Sequence, residues 1–269
     1  MTVVLCQCRH RGLVDGQRLR RLRRALRASA HRLVEVADLC AVAATGDAAL
    51  AQVLQAPSVV LCGCHERALR SLAARLAGRP LPALRCLDLR DPAAPEPAQA
   101  LGLPDPPDDT AGASGPADTP GLPGAGDDAW YPLIDLERCV HCGQCQSFCL
   151  FGVYTRTAAG AVTVAQPRQC KTDCPACARV CPENAVIFPK CPDEAINGAA
   201  LTAEQLAGAR IRLEPSQVFG GDLRARLAAR RAAAAPGAGA TAPALFRPGA
   251  FPEPAADRTA VDRPGGPAL

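Results

Sequence analysis

Eight cysteines between residues 139 and 181 constrain this chain more than any other feature. They form two runs of similar spacing, CxxCxxCxxxC and CxxxCxxCxxxC, and Pro182 follows the second run. A loop that returns a thiolate every third residue can wrap three corners of one iron–sulfur cube, while the fourth cysteine has turned away onto a helix and reaches the other cube. The spacing therefore predicts iron–sulfur clusters. The eight positions are Cys139, Cys142, Cys145, Cys149, Cys170, Cys174, Cys177 and Cys181.

Zinc and disulfide bonds are the alternatives for these thiols. Structural zinc sites usually take two separated pairs of cysteines, and three equally spaced thiolates in one loop crowd a tetrahedral ion. No apolar run reaches the roughly 18 residues that a membrane helix needs, and residues 1–12 carry Cys, His and Arg where a secretory signal has an apolar stretch. We therefore expect a soluble protein of the cytoplasm, where disulfides are rare.

An internal repeat supports the metal hypothesis. A shift of about 32 residues lays the first cysteine run on the second, and each half predicts a short strand, a cluster loop, a short helix and another short strand. The result is a small α+β domain of two pseudo-symmetric halves. A unit this small, with few large apolar side chains, would hardly fold alone, so the clusters are expected to supply much of its core.

Residues 130–196 resemble a bacterial-type ferredoxin with two 4Fe-4S clusters. The resemblance implies that Cys139, Cys142, Cys145 and Cys181 hold cluster 1. It implies that Cys170, Cys174, Cys177 and Cys149 hold cluster 2. The sequence departs from the family at Leu150, where a proline is usual, and at Thr172–Asp173, which includes one extra residue. Complete cysteine ligation leaves no open iron for a substrate, so the implied chemistry is electron transfer and not catalysis. Cys191 lies beyond the second repeat and is expected to be a spare thiol.

Charge and composition divide the chain into four pieces. Residues 1–90 hold 15 Arg and 6 acidic residues, whereas residues 91–129 hold no basic residue, 8 acidic residues and 9 Pro. The second piece predicts an extended acidic linker, long enough to let one domain swing between electron donor and acceptor. Residues 130–200 form the ferredoxin-type domain. Residues 201–269 predict short helices around 202–208 and 221–231, then a disordered tail.

Apolar runs alternate with helical stretches over residues 1–90, which predicts an α/β domain with a small, mainly parallel sheet. Its strands are expected at 2–5, 33–39, 58–61 and 81–89, and its helices at 17–29, 47–55 and 66–76. The first helix is rich in arginine, as expected for the solvated face of a helix that covers a sheet. Docking to an acidic partner is the alternative. Nucleic acid is not expected as a partner, because no aromatic stacking residues accompany the arginines.

Cysteines also follow the strands of this predicted domain. Cys6 and Cys8 follow the first strand, Cys40 the second, and Cys62 and Cys64 the third. In a parallel sheet these positions meet at the carboxyl edge, and the i, i+2 spacing predicts that both thiols of a pair turn to one side. We therefore expect these thiols to converge in one cluster. The alternative is a group of small buried core cysteines, which suits Cys86.

The segments Leu5-Cys6-Gln7-Cys8, Leu39-Cys40 and Cys64-His65-Glu66-Arg67 resemble the N-terminal domain of the flavin-containing subunit of heterodisulfide reductase. The resemblance implies a third 4Fe-4S cluster on Cys6, Cys8, Cys40 and Cys64, with Cys62 as an alternative ligand. Arg9 and His65-Glu66 depart from the family pattern. The flavin domain of that family has no counterpart after residue 90, so any flavin chemistry belongs to a partner.

These predictions favour an electron-transfer iron–sulfur protein over a complete enzyme. The hypothesis is a subunit or dedicated carrier of a multi-component oxidoreductase, with a flavoprotein or heterodisulfide-reductase-like subunits as redox partners. A thiol–disulfide enzyme that uses the N-terminal cysteines and receives electrons from the ferredoxin domain is the second hypothesis. A redox-responsive regulator that contacts nucleic acid through the arginine-rich helix is the third.

Overall fold

The alternation of apolar runs and helices in the first 90 residues produces a four-stranded parallel sheet. In the computed structural model, which describes residues 1–104, 127–207 and 225, the strand order is β2-β1-β3-β4 and all neighbours are parallel. The strands are β1 Thr2–Cys6, β2 Arg32–Val36, β3 Val59–Gly63 and β4 Arg85–Asp88. The helices are α1 Gly16–Arg27, α2 Leu39–Thr45, α3 Ala48–Gln55 and α4 Glu66–Ala77. The predicted α/β class and parallel sheet are confirmed.

Successive side chains of each strand point to opposite faces of the sheet, and each face has its own hydrophobic core. Val3, Leu5 and Val60 pack against α1, whereas Val4 and Leu61 pack against the helices on the opposite face. Helix α2 was not predicted, because Leu39–Thr45 is short and apolar and resembles the end of a strand. Asp38 caps this helix: its Oδ1 accepts a hydrogen bond from the Ala41 N–H at 3.1 Å.

The prediction of an extended linker from residue 91 is wrong for residues 91–103. A short helix, α5 Pro97–Ala100, packs on α1, and Ala98, Leu101 and Leu103 are buried there. Arg18 of α1 fixes the segment by donating hydrogen bonds to the carbonyl oxygens of Asp91, Ala94 and Pro95. Burial of the apolar residues in this acidic segment stabilises its folded conformation despite its high proline content. Residues 105–126 lie outside the described residues.

The cysteine-rich part has the predicted pair of similar halves. Its elements are β5 Leu133–Ile134, α6 Gln144–Phe148, β6 Tyr154–Arg156, β7 Val162–Val164, a 3₁₀ turn Pro167–Gln169, α7 Ala176–Arg179, β8 Val186–Ile187 and α8 Ala203–Ala207. Strand β5 pairs with β8 and strand β6 with β7, both antiparallel. Helix α8 falls where the first tail helix was predicted, and the one predicted over 221–231 lies almost wholly outside the described residues.

The sheet and the cysteine-rich part share one hydrophobic core, which joins Leu69 and Leu72 of α4 to Leu133, Ile187 and Phe188. Arg75 of α4 also donates hydrogen bonds to the carbonyl oxygens of Ala43 and Val164, both at 2.8 Å. The described residues of both parts belong to one compact unit. The sheet and the cysteine-rich part therefore pack together through this shared core. No helix in the described part of the chain is long and apolar enough to cross a membrane.

A substitution at Gly198 tests the packing of the cysteine-rich part on α4. Gly198 has φ +97, and a Cβ added there would lie 2.7 Å from the Cβ of Ala68 in α4. We expect Gly198→Ala to lower the free energy of unfolding by the cost of the left-handed backbone, about 1 kcal/mol, and by about 2 kcal/mol more for the clash. Gly160→Ala is the control, because Gly160 has φ +80 and nothing within 4 Å of the added Cβ. Anaerobic thermal unfolding measures both, and equal losses would contradict the close packing.

Candidate metal centres

The two cysteine loops have matching backbone conformations. His141, immediately before Cys142, has φ 53°, and Asp173, immediately before Cys174, has φ 58°. A left-handed conformation is unfavourable for residues other than glycine and persists where the surrounding structure imposes it. The same strain at corresponding positions shows that both loops wrap in the same way, despite the extra residue in the second loop.

The first ferredoxin set consists of Cys139, Cys142, Cys145 and Cys181, and its thiols are neighbours in the structure. Burial raises the pKa of Cys139, and the nearby thiols of Cys181 and Cys142 raise it further. Burial raises the pKa of Cys145 to about 12, and Cys177, Cys181 and Cys139 act in the same direction. The Sγ of Cys181 accepts a hydrogen bond from the Ala185 N–H at 3.3 Å.

The second ferredoxin set consists of Cys170, Cys174, Cys177 and Cys149. Burial raises the pKa of Cys170 to about 12, and its neighbours Cys177, Cys149 and Cys174 raise it further. Burial likewise raises the pKa of Cys177 to about 12, with Cys149 and Cys174 adding to the effect. Cys149 and Cys181 have thus crossed over, since each lies beside the thiols of the other loop. The division of the eight thiols into these two sets stays a prediction from the ferredoxin resemblance.

The chemistry of these donors fits an iron–sulfur cube. A buried thiol with a raised pKa becomes a thiolate ligand only when the bound metal supplies positive charge, and an all-sulfur donor set selects iron–sulfur clusters or zinc. Among the described residues, no three His, Cys, Asp or Glu side chains are arranged to hold a single metal ion. The all-cysteine donor sets at these spacings suit 4Fe-4S cubes.

A third group of thiols, the N-terminal set, lies at the carboxyl edge of the parallel sheet. Cys6 ends β1, Cys40 lies in the first turn of α2, and Cys64 follows β3. Cys8 adopts φ 48° just after β1, so the chain is no longer extended there. All four cysteines, Cys6, Cys8, Cys40 and Cys64, are buried. The parallel sheet brings these four positions together at one edge, as the sequence predicts.

These four thiols are also close enough to affect each other's pKa values. Burial raises the pKa of Cys6 to about 12, and Cys8 and then Asp38 raise it further. Burial raises the pKa of Cys64 well above its usual value, with contributions from Cys6 and Cys8. The pKa of Cys40 is raised by burial, then by Asp38 and Cys64. The Sγ of Cys6 accepts a hydrogen bond from the Leu39 N–H at 3.3 Å, the kind of contact that stabilises cluster sulfur.

Cys62 lies apart from the N-terminal set. It is inside β3, fully buried in the core against α1, whereas Cys64 packs in the other core. The expectation that Cys62 and Cys64 turn to one side is therefore wrong, because the chain ceases to be extended after Gly63. Burial raises the pKa of Cys62 to about 12, and Cys86 raises it further. Cys191 is buried, and its carbonyl oxygen accepts a hydrogen bond from Arg90 at 3.0 Å.

Charged side chains surround the N-terminal set. His65 Nδ1 lies 3.0 Å from Asp88 Oδ2. Arg90 donates hydrogen bonds to the carbonyl oxygens of Pro189 at 2.8 Å and Cys191 at 3.0 Å, and its positive charge favours the thiolate forms of Cys8 and Cys64. Lys190 Nζ donates to Asp38 Oδ2 at 2.6 Å and also contacts Asp128. The site is therefore built partly from the residues that follow the ferredoxin loops.

Comparison with known proteins finds a 4Fe-4S family at the first cysteine loop. Residues 130–149 match the family described as 4Fe-4S binding domain. A protein of Methanocaldococcus jannaschii named an uncharacterized ferredoxin is 48% identical over 64 residues, which cover 23% of this chain and 43% of the relative. No solved structure matches. The chain thus contains a ferredoxin-type segment that binds at least one 4Fe-4S cluster, and these matches support an iron–sulfur electron carrier.

The sequence reasoning missed three residues that shape the N-terminal set. Tyr131 donates a buried hydrogen bond through its Oη to the carbonyl oxygen of Cys40 at 2.8 Å, and the Lys190–Asp38 ion pair lies close by. Lys190 carried one signal, since it is one of only two lysines in a chain with 28 arginines. Tyr131 and Asp38 carried no such signal. Each lies far along the chain from its partner, which is Cys40 for Tyr131 and Lys190 for Asp38.

The different surroundings of Cys62 and the N-terminal set predict different reactivity. After iron is stripped from the native protein with a chelator, we expect the set to react with iodoacetamide at pH 8 at least tenfold faster than Cys62. Removing the metal opens the site at the sheet edge, whereas Cys62 stays buried inside β3 against α1. Mass mapping of the alkylated peptides measures this, and Cys86 is the matched control. Alkylation of Cys62 together with Cys64 would assign Cys62 to the site.

Proposed function

We propose that this protein carries electrons in single steps and holds a 4Fe-4S cluster in each of its three cysteine sets. The placement of Cys181 near Cys139 and Cys145, and of Cys149 near Cys170 and Cys177, supports the proposal for the two ferredoxin sets. Each bound cluster supplies a one-electron couple. The protein residues ligate it, bury it and donate hydrogen bonds to its sulfurs.

The N-terminal set supports a third cluster in a domain like that of the flavin-containing subunit of heterodisulfide reductase. Its donors are four cysteines at one sheet edge, and all four are buried. Their burial disfavours the thiol–disulfide enzyme hypothesis, because a reactive cysteine needs an accessible thiolate. We therefore assign these thiols to metal binding and place the protein as a carrier or subunit in a multi-component oxidoreductase.

The surface near the clusters supports transient contact with a redox partner protein. Val140, between two ligands of the first set, is 61% exposed, and Leu136, Leu150 and Phe151 are exposed large apolar residues near the same loops. Exposed apolar side chains around a buried redox centre favour a short-lived docking complex. A flavoprotein or a heterodisulfide-reductase-like subunit remains our proposal for the partner.

Metal analysis of the anaerobically purified protein tests the cluster number. We expect about twelve iron atoms and about twelve acid-labile sulfides per chain, because three sets of four thiolates each hold a cube. A value of about eight would restrict the clusters to the two ferredoxin sets. Zinc in place of iron would contradict the proposal altogether.

Paired variants test the crossing of the ligands. Cys142→Ala with Cys181→Ala removes two ligands of one set, so we expect a loss of about four iron atoms per chain. Cys142→Ala with Cys149→Ala removes one ligand from each set and should cost up to about eight. Both variants replace two cysteines, which makes each the control for the other, and Cys191→Ala should cost none. Equal iron losses from the two pairs would contradict the assignment.

A further inference from the structure

A buried lysine of the cysteine-rich part, Lys190, lies beside the N-terminal set. Lys190 lies shortly after the last ferredoxin strand, β8, and is 4% exposed. A buried lysine is rare unless it is paired, because removing its ammonium from water is costly. Here it lines a narrow crevice together with Cys40, Tyr131 and Phe188. It therefore lies against the helix turn that carries one of the proposed ligands.

The partner of Lys190 holds that helix turn in place. Lys190 Nζ lies 2.6 Å from Asp38 Oδ2, and the other carboxylate oxygen of Asp38 accepts the Ala41 N–H at 3.1 Å as the cap of α2. The side chains of Lys190 and Asp38 are only 3% and 2% exposed. One ion pair thus connects the residues after the ferredoxin loops to the turn that positions Cys40.

Asp38 by itself would oppose metal binding. Its buried carboxylate caps the helix turn that carries Cys40, so it places a negative charge next to the proposed thiolates. Four thiolates around a cube add further negative charge. Lys190 offsets this, because its ammonium pairs with Asp38 at 2.6 Å and lines the same crevice as Cys40.

Other charged groups surround the Lys190–Asp38 pair. Asp128 contacts Lys190 and pairs with Arg11 at 2.7 Å, so this carboxylate is shared between two cations. His10 Nε2 is 3.9 Å from Asp38 Oδ2, and the charge of Arg90 acts on Cys8 and Cys64. Burial alone would lower the pKa of Lys190, but Cys40, Asp38 and Asp128 raise it, so the lysine remains charged.

From this arrangement we propose that Lys190 is a positioning residue of the N-terminal set, which neutralises Asp38 and stabilises the anionic cluster held by Cys6, Cys8, Cys40 and Cys64. The inference rests on the proposed third cluster. It makes the N-terminal site a composite one, completed only when the residues after the ferredoxin loops pack on the sheet.

Lys190→Met in the full chain tests the proposal. We expect the midpoint potential of the N-terminal centre to fall, because removing a positive charge disfavours the more negative reduced state, or the centre to be lost with about four iron atoms per chain. Anaerobic EPR redox titration measures the potential, and the N-terminal signal is identified by its absence in Cys64→Ala. The ferredoxin signals should keep their potentials.

Three further variants separate charge from mere packing. Lys190→Arg keeps the charge and should stay close to the wild type. Asp38→Asn combined with Lys190→Met should regain the iron that the single variant loses, because no unpaired buried carboxylate remains and asparagine still caps α2. Lys171→Met replaces the other lysine, which is exposed in the second cysteine loop, and should leave the N-terminal potential unchanged.

The results distinguish this inference from the proposed function. A Lys190→Met protein with a lower melting temperature but unchanged iron content and potential would overturn the role of Lys190 and leave the third cluster in place. The same shift in Lys190→Arg as in Lys190→Met would also overturn it. A wild-type chain with about eight iron atoms and freely alkylated N-terminal thiols would overturn both.

Discussion

The exchange of Cys149 and Cys181 between the two cysteine loops is the constraint on which the rest of this structure depends. In the proposed arrangement, each loop supplies three thiols to its own set and receives the fourth from the other loop. Neither half can therefore complete a set alone. Ligand binding and chain folding become one process, as is usual where a site does not exist in the unfolded state.

The same interdependence extends to the N-terminal sheet. Helix α4 packs on β5, and Arg67 near its start donates hydrogen bonds to Asp135 Oδ2 at 3.1 Å and to the carbonyl oxygen of Asn184 at 2.9 Å. Tyr131 and Lys190 contact the turn that carries Cys40. The three cysteine sets thus lie on one packed support. Such a support suits electron transfer, because fixed positions keep the sites from reorganising when their charge changes.

Much of this arrangement follows from the sequence because the signals are local. The strands begin where apolar runs begin, and cysteines placed just after β1, β2 and β3 must meet at one edge of a parallel sheet. The composition of the ferredoxin sets follows from the family resemblance. Helix α2 and the folded segment at 97–103 escaped prediction, because a short run of small apolar residues and a Pro-rich acidic stretch have no distinctive period. The Lys190–Asp38 pair spans 152 positions, and no local pattern indicates it.

X-ray absorption at the iron edge of the anaerobically purified protein tests the central claim most directly. The account predicts sulfur as the only ligand atom of iron, together with the iron–iron scattering that arises only when several irons share one cluster. Iron with nitrogen or oxygen ligands and no iron neighbour would contradict it, because the three cysteine sets would then not hold cubes.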